Sequence, residues 1–160
     1  MRAWRIYPHT AAYAQAPTFD PLDGAGGRVA NRWNDAGAPI VYAAATPSLA
    51  ALETLANLSH PGQFGERTIL EIGLADDAEE VGLELVLRLR EDAPRDDPER
   101  GTRAFGSAWL AEKRTLALLV PSFVMPFERN VLINPLHPKA GSLAVLRRER
   151  LRLDQRLLRG

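Results

Sequence analysis

Ile40-Val-Tyr-Ala-Ala44 is an apolar run of strand length, and Thr46-Pro-Ser-Leu-Ala-Ala-Leu-Glu53 begins a helix almost directly after it. A Gly-Ala-Pro turn signal at residues 37–39 precedes the run. Thr46 is a residue type that caps helix N-termini, and Pro47 suits the first helical position because its missing N–H costs nothing there. These segments therefore predict a strand that leads straight into a helix.

The predicted helix has one apolar face with a carboxylate at its edge. At about 100° per residue, four apolar side chains share one stripe, and the pattern predicts a helix that extends to about residue 58. Glu53 lies only ~40° from Leu49 around the axis, so its carboxylate should be partly desolvated. Such a group either pairs with an arginine at the rim of the fold or acts in a cleft on a developing positive charge. The stripe consists of Leu49, Leu52, Leu55 and Ala56.

The rest of the chain predicts a mixed domain. Residues 102–115 favour a helix with Phe105 and Trp109 on its apolar side, and residues 19–27 and 91–101 favour loops. The tail after residue 146 suits either a strand or a helix. Because the connections are too short for regular βαβ crossovers, we expect an α+β domain of short, mainly antiparallel strands and a few helices. The further strand segments are 5–8, 68–74, 83–89, 116–120, 130–134 and 142–146.

Length and composition fit a single domain covering residues 1–160. The 20 Lys and Arg residues balance 20 Asp and Glu residues, so no global field gathers nucleic acid or anionic lipid. The absence of cysteine excludes disulfides and thiol catalysis. No apolar run approaches the ~20 residues of a membrane helix, and the N-terminus lacks a signal-peptide core. We therefore expect a cytoplasmic protein without direct nucleic-acid or membrane contact.

Three further side chains could carry chemistry, and each also has an ordinary structural explanation. Arg32 follows a glycine-rich loop and could grip a phosphate or carboxylate with its planar fork, or form a surface ion pair. Tyr42 could offer its ring to a flat heteroaromatic group, or simply fill the core. Ser122 lies between Pro121 and Pro126 and suits a turn, and no Gly-x-Ser-x-Gly elbow marks it as a hydrolase nucleophile.

The sequence offers little support for a metal or a resident cofactor. His9, His60 and His137 are far apart and lack metal-ligand spacing. Neither a Walker loop nor a Gly-x-Gly-x-x-Gly fingerprint occurs, and residues 24–27 are only a weak phosphate-loop candidate. We therefore expect no metal and no cofactor, and the arginine cluster in residues 147–152 should be a solvated face.

Two spaced motifs carry the candidate residues. The first is Asn31-Arg-Trp-Asn-Asp-Ala-Gly-Ala-Pro-Ile-Val-Tyr42, followed by Ala51-Leu-Glu53. The second is Leu119-Val-Pro-Ser-Phe-Val-Met-Pro126, with Glu128, Asn130 and Asn134-Pro-Leu-His-Pro138 beyond it. In this order they resemble the RES domain family, which is named for an arginine, a glutamate and a serine. The name-giving residues are then Arg32, Glu53 and Ser122, and one departure is Ala30-Asn31 in place of two glycines.

The resemblance implies a fold similar to that of ADP-ribosyltransferase toxins and a role as the toxin half of a toxin–antitoxin pair. Family members degrade NAD by hydrolysis or phosphorolysis, and some modify a protein. NAD would be a substrate, with inorganic phosphate as a co-substrate in phosphorolysis. The implied partner is an antitoxin with an Xre-like helix-turn-helix domain, in a homo-oligomer or a hetero-oligomer with that antitoxin. The implied catalytic residues are Glu53, Arg32 and Ser122, and the implied substrate-binding residues are Arg32, Tyr42, Trp33, Asn34 and Ser122.

The chemistry of NAD cleavage suits these residue types. Nicotinamide leaves as a neutral base, so no general acid is needed, and the barrier lies in forming an oxocarbenium-like ribose. Glu53 would stabilise that charge, Arg32 would bind the pyrophosphate, and Tyr42 would wall the nicotinamide ring. Ser122 would bond the carboxamide or the ribose, or else position the glutamate. Two alternatives stay open: ADP-ribosylation of a cellular protein, and an inert interaction module.

Overall fold

The structure is a computed structural model that describes residues 1–158, so residues 159 and 160 of the predicted domain lie outside it. Seven strands of the described chain form one sheet, accompanied by α-helices on its faces. The strands are β1 (Arg2–Pro8), β2 (Val41–Ala44), β3 (Arg67–Gly73), β4 (Ala78–Glu80), β5 (Ala117–Pro121), β6 (Arg129–Ile133) and β7 (Ala144–Leu151). The helices are α1 (Pro47–Ala56), α2 (Leu83–Glu91) and α3 (Arg100–Glu112).

The strands lie in the order β4-β5-β6-β2-β1-β3-β7. Every neighbouring pair is antiparallel except β4 and β5, which are parallel and short. This arrangement confirms the predicted α+β class with mainly antiparallel strands. β1 and β3 are paired along their whole length, from Arg2 with Gly73 to Pro8 with Arg67.

The sheet separates at its centre. β1 and β2, both within the described chain, are joined by one residue pair, Trp4 with Ala44, whereas β1 pairs with β3 from Arg2 to Pro8. Beyond that pair the side chain of Arg5 donates from Nη1 to the backbone oxygen of Tyr42 at 3.0 Å. A side chain thus satisfies a carbonyl that a continuous ladder would have paired, and a gap opens between the two halves of the sheet.

Apolar side chains from alternate positions of β6 fill the space on both faces of the sheet. Val131 and Ile133 belong to one core cluster, and Leu132 belongs to the other, with Trp109 of α3. Helix α3 approaches the loop before β2 so closely that a Cβ on Gly106 would lie 2.0 Å from the carbonyl oxygen of Trp33. Only glycine fits at that crossing, which fixes α3 against the segment that carries Arg32.

The prediction of a strand at residues 83–89 was wrong, because this segment is the helix α2. Leu83 and Leu87 are about half exposed, at 46% and 47%, while Val86 is fully buried. The alternating leucines therefore do not all point into one core, as they would in a half-buried strand. Leu, Glu and Arg all have high helix propensity, and the segment packs against α3 through the side chains at helical spacing.

Other boundaries differ by smaller amounts. α1 begins and caps as predicted, but Ala56 of the predicted apolar stripe is exposed. The strand expected at residues 142–146 is β7, which begins at Ala144 and continues through the ambiguous tail to Leu151. Its arginines are exposed, in agreement with a solvated face. Within residues 1–158 no helix has the length and hydrophobicity that a bilayer span requires.

Candidate functional site

A cleft of about 720 Å³ opens beside the gap between β1 and β2. Its walls come from these strands, α1, the segment before β2 and the connection that follows β5. Four of the predicted site residues line this one cleft although they come from different elements: Arg32, Trp33, Tyr42 and Glu53. The volume lies in the range of small-molecule sites.

The carboxylate of Glu53 accepts hydrogen bonds from two residues that are distant from it in the sequence. Ser122 Oγ donates to Oε1 of Glu53 at 2.8 Å, and Asn130 Nδ2 donates to the same oxygen at 2.5 Å. Neither bond uses Oε2. The carboxylate is half-buried, as its position at the edge of the apolar stripe predicted, and its orientation is fixed by two bonds to one oxygen.

Ser122 is a buried support rather than part of the cleft surface. Its side chain is 2% exposed, and it is not among the residues that line the cleft. Besides donating to Glu53, its Oγ accepts from the backbone N–H groups of Val124 at 3.1 Å and Met125 at 2.9 Å. One hydroxyl therefore ties the connection between β5 and β6 to the carboxylate on α1.

The start of α1 is anchored to the same connection. Thr46 caps the helix by accepting from the N–H of Leu49 at 3.1 Å, and its hydroxyl donates to Oε2 of Glu128 at 2.5 Å. The backbone N–H of Ala45 donates to the carbonyl of Arg129 at 3.0 Å. Cap, strand end and connection thus set the position of the helix that carries Glu53.

Arg32 forms an ion pair at the mouth of the cleft. Its Nε donates to Oε1 of Glu99 at 2.8 Å, and its guanidinium lies 4.3 Å from the centre of the Phe123 ring. The pairing matches the ordinary structural explanation for an arginine, yet both partners line the cleft. A guanidinium has five N–H donors in a fork, so one bond to Glu99 leaves donors for an anion.

Tyr42 combines a cleft-facing ring with a buried hydroxyl. The hydroxyl donates to Oδ1 of Asn34 at 2.6 Å, and Asn34 is fully buried. The amide of Asn34 in turn donates to the carbonyls of Val29 at 3.0 Å and Asp35 at 2.8 Å. Burial raises the pKa of the Tyr42 phenol well above its ordinary value, so the side chain stays neutral.

The residues beside Arg32 shape the loop. Trp33 is 4% exposed and packs edge-to-face on Phe105, so most of its indole belongs to the core, and its small exposed part lines the cleft. Asn31, which stands where the family has glycine, does not have a positive φ, and its amide donates to the carbonyls of Gly26 and Val29 at 3.3 Å. The departure from the family pattern is therefore accommodated without backbone strain.

Some polar and aromatic residues of the cleft carried no predicted role, among them Asn130, Arg5, Phe123 and Glu99. Asn130 lies in the second motif, and an amide in an otherwise apolar strand is the signal that could have marked it. Arg5, Phe123 and Glu99 line the cleft as well, but their signals are weak, because an arginine in a short strand and a glutamate in a polar loop are common. In the described chain no cluster of His, Asp and Glu is arranged to hold a metal ion.

Comparison with known proteins places the chain in a family. The RES domain family matches residues 2–154. "Prs ADP-ribosylating toxin" of Sphingobium sp. (strain YBL2) is 38% identical over 160 residues, which covers 98% of this chain and 96% of that protein. "Toxin Res" of Pseudomonas putida (strain KT2440) is 38% identical over 148 residues, with 91% and 92% of the two chains covered.

A solved structure shares the fold. The chain superposes with a TM-score of 0.67 on a chain of the M. tuberculosis MbcT–MbcA toxin–antitoxin complex, covering 94% of this chain and 83% of that one, at 17% identity. Family match, relatives of similar length and shared fold agree with each other. The chain therefore belongs to the RES domain family, together with relatives that are named as toxins.

Proposed function

We propose that this chain is the toxin of a toxin–antitoxin pair and that it cleaves the nicotinamide–ribose bond of NAD. The observation that carries the proposal is the carboxylate of Glu53, which lines the cleft and is oriented by Ser122 and Asn130. A fixed carboxylate in a partly dry cleft stabilises a positive charge that develops on ribose. The toxin names of the full-length relatives support the same proposal.

The other predicted site residues, together with Arg5, have further roles in this reaction. Arg32 and Arg5 line the cleft, and their guanidinium groups would bind the pyrophosphate of NAD. The ring of Tyr42 would lie against the nicotinamide, whose departure as a neutral base needs no proton. Asn34 and Ser122 are buried outside the cleft lining, so we assign them positioning roles in place of direct contact with the substrate. Trp33 lines the cleft with only 4% of its surface exposed, and we assign it a positioning role as well.

The acceptor in the second step is water or inorganic phosphate in our main proposal. Purified protein incubated with NAD should release nicotinamide, and NMR of the products identifies the acceptor. Free ADP-ribose would mean hydrolysis, and a phosphorylated ADP-ribose that forms only when phosphate is present would mean phosphorolysis. Failure to release nicotinamide under either condition would contradict the proposal.

Transfer of ADP-ribose to a protein is the second candidate. A relative that covers nearly the whole chain is named an ADP-ribosylating toxin, which favours this alternative. Incubation of a cell extract with the protein and adenine-labelled NAD separates the two. Label on a protein band that depends on Glu53 would establish transfer, and label found solely in free ADP-ribose or its phosphate would establish NAD degradation. An inert interaction module is disfavoured, because Arg32, Tyr42 and Glu53 share one cleft.

The proposed partner is an antitoxin with an Xre-like helix-turn-helix domain, and the fold match to a toxin in a toxin–antitoxin complex supports a partner of this kind. The balanced charge of the chain assigns any DNA binding to that antitoxin. NAD as the substrate implies action in the cytoplasm. Co-expression with such an antitoxin should suppress NAD loss, and unabated NAD loss in a stable complex would contradict its inhibitory role.

A further inference from the structure

Two arginines compete for one carboxylate oxygen at the mouth of the cleft. Glu99 is the N-cap residue of α3, and its Oε1 accepts from Nε of Arg32 at 2.8 Å. Arg90, near the end of α2, places its Nη1 3.8 Å from the same oxygen, which is beyond hydrogen-bond distance. Both guanidinium groups lie over the ring of Phe123, at 4.3 Å for Arg32 and 5.3 Å for Arg90.

Arg90 has a donor that is not satisfied in this arrangement. Its Nη1 is buried and has no hydrogen-bond partner among the described residues. A buried N–H without an acceptor is costly, since it has lost water and gained no bond. A movement of the Glu99 carboxylate by about 1 Å toward Arg90 would bring this pair to ordinary hydrogen-bond length. The same movement would loosen the bond to Arg32.

We propose that Glu99 exchanges partners when a dinucleotide binds: the pyrophosphate takes Arg32, and the carboxylate shifts to Arg90. This inference rests on the proposed function, because it assumes that Arg32 binds the pyrophosphate. A phosphate can accept two parallel bonds from a guanidinium and so displaces a carboxylate that holds Nε alone. Glu99 and Arg90 are then positioning residues that set the affinity for diphosphate ligands without touching them.

The exchange makes a prediction that simple electrostatics does not. If Glu99 only weakens the local positive field and Arg90 only strengthens it, the two substitutions act additively on binding. In the exchange, Arg90 matters because it receives Glu99, so removing Arg90 has no effect once Glu99 has been neutralised. Coupling between the two sites in a double-mutant cycle is therefore the signature.

The test is calorimetric titration of ADP-ribose into wild type, Glu99→Gln, Arg90→Gln and the double variant. We expect Glu99→Gln to bind about 3- to 5-fold tighter, Arg90→Gln to bind weaker by a similar factor, and the double variant to match Glu99→Gln, since partly exposed ion pairs are worth little more. Glu112→Gln removes the same charge at the other end of α3, about 20 Å away, and should bind like wild type.

Each other result overturns the exchange. Equal weakening by Arg90→Gln in both backgrounds would mean that Arg90 acts on the ligand directly, and unchanged affinity with a lowered Tm in Glu99→Gln would mean a merely structural pair. If Arg90→Gln fails to fold, Arg90→Met keeps the stem over Phe123 and replaces it in the cycle. Wild type that binds neither ADP-ribose nor NAD would overturn the proposed function too, whereas binding without coupling overturns the exchange alone.

Discussion

Ser122 and Glu53 are 69 residues apart in the chain and are joined by a hydrogen bond of 2.8 Å from Oγ to Oε1. Because the same Oγ also accepts from the N–H groups of Val124 and Met125, it links the connection after β5 to the helix that carries the carboxylate. Of the roles predicted for Ser122, this bond favours the positioning of Glu53, which is the role we propose.

Ser122→Ala should lower kcat by about tenfold or more and leave KM little changed, because a carboxylate that loses one of its two donors is poorly aligned with the ribose. The free energy of unfolding should fall by about 1–3 kcal/mol, since the backbone N–H groups of Val124 and Met125 lose their acceptor. Steady-state kinetics of nicotinamide release and thermal unfolding measure the two effects.

Two companion variants sharpen that prediction. Asn130→Ala removes the other donor to Oε1 of Glu53. The fold-decrease in kcat of the double variant should therefore be smaller than the product of the two single fold-decreases. Ser142→Ala removes an exposed serine hydroxyl that donates to the nearby carbonyl of Lys139, and it should leave kcat unchanged. A rise in KM with constant kcat in Ser122→Ala would show that the hydroxyl binds substrate after all.

Tyr42→Phe should reveal the buried phenol through the pH dependence of stability. The raised pKa means that folded Tyr42 keeps its proton while the unfolded side chain ionises above about pH 10. Its contribution is therefore fully present below that pH and is lost as the pH rises beyond it. At pH 7 the variant should be less stable by about 1 kcal/mol, from the lost bond to Asn34.

Chemical denaturation at several pH values between about 8 and 11 checks this expectation. The gap in unfolding free energy between wild type and Tyr42→Phe should shrink across that range. A gap that widens with pH would contradict the account of the phenol. Since the ring is retained, KM for NAD should change little, whereas Tyr42→Ala should raise it.

Gly106→Ala should change the cleft indirectly, by moving α3 relative to the segment that carries Arg32. An added Cβ would lie 2.0 Å from the carbonyl oxygen of Trp33, so α3 must move away from the segment that carries Arg32. We expect a loss of about 1–3 kcal/mol in stability and weaker ADP-ribose binding. Gly141→Ala, where a Cβ meets nothing within 4 Å, is the matched control. Equal behaviour of the two variants would contradict the close approach.

Local patterns predicted the part of the site that lies within one element. The cap at Thr46, the start of α1 and the half-buried edge position of Glu53 all follow from residues close together in sequence. The failure at residues 83–89 has a physical reason: the alternating leucines suit a strand, but burial of Val86 against α3 decides for a helix.

Contacts between distant elements could not be predicted in the same way. The bond from Asn130 to Glu53 spans 77 residues, and the pairing of Arg32 with Glu99 spans 67. Both depend on sheet order and on the packing of α3, which no local pattern encodes. Glu99 in particular lies in a segment predicted as a polar loop, where a carboxylate carries no signal.

The central claim is that the carboxylate of Glu53 stabilises the transition state of nicotinamide release from NAD. The most direct measurement compares wild type with Glu53→Gln for both the rate of nicotinamide release and the Kd for NAD. A role in the transition state predicts a rate lowered by about 100-fold or more with Kd changed less than about threefold. Nicotinamide release by Glu53→Gln at close to the wild-type rate would contradict the claim.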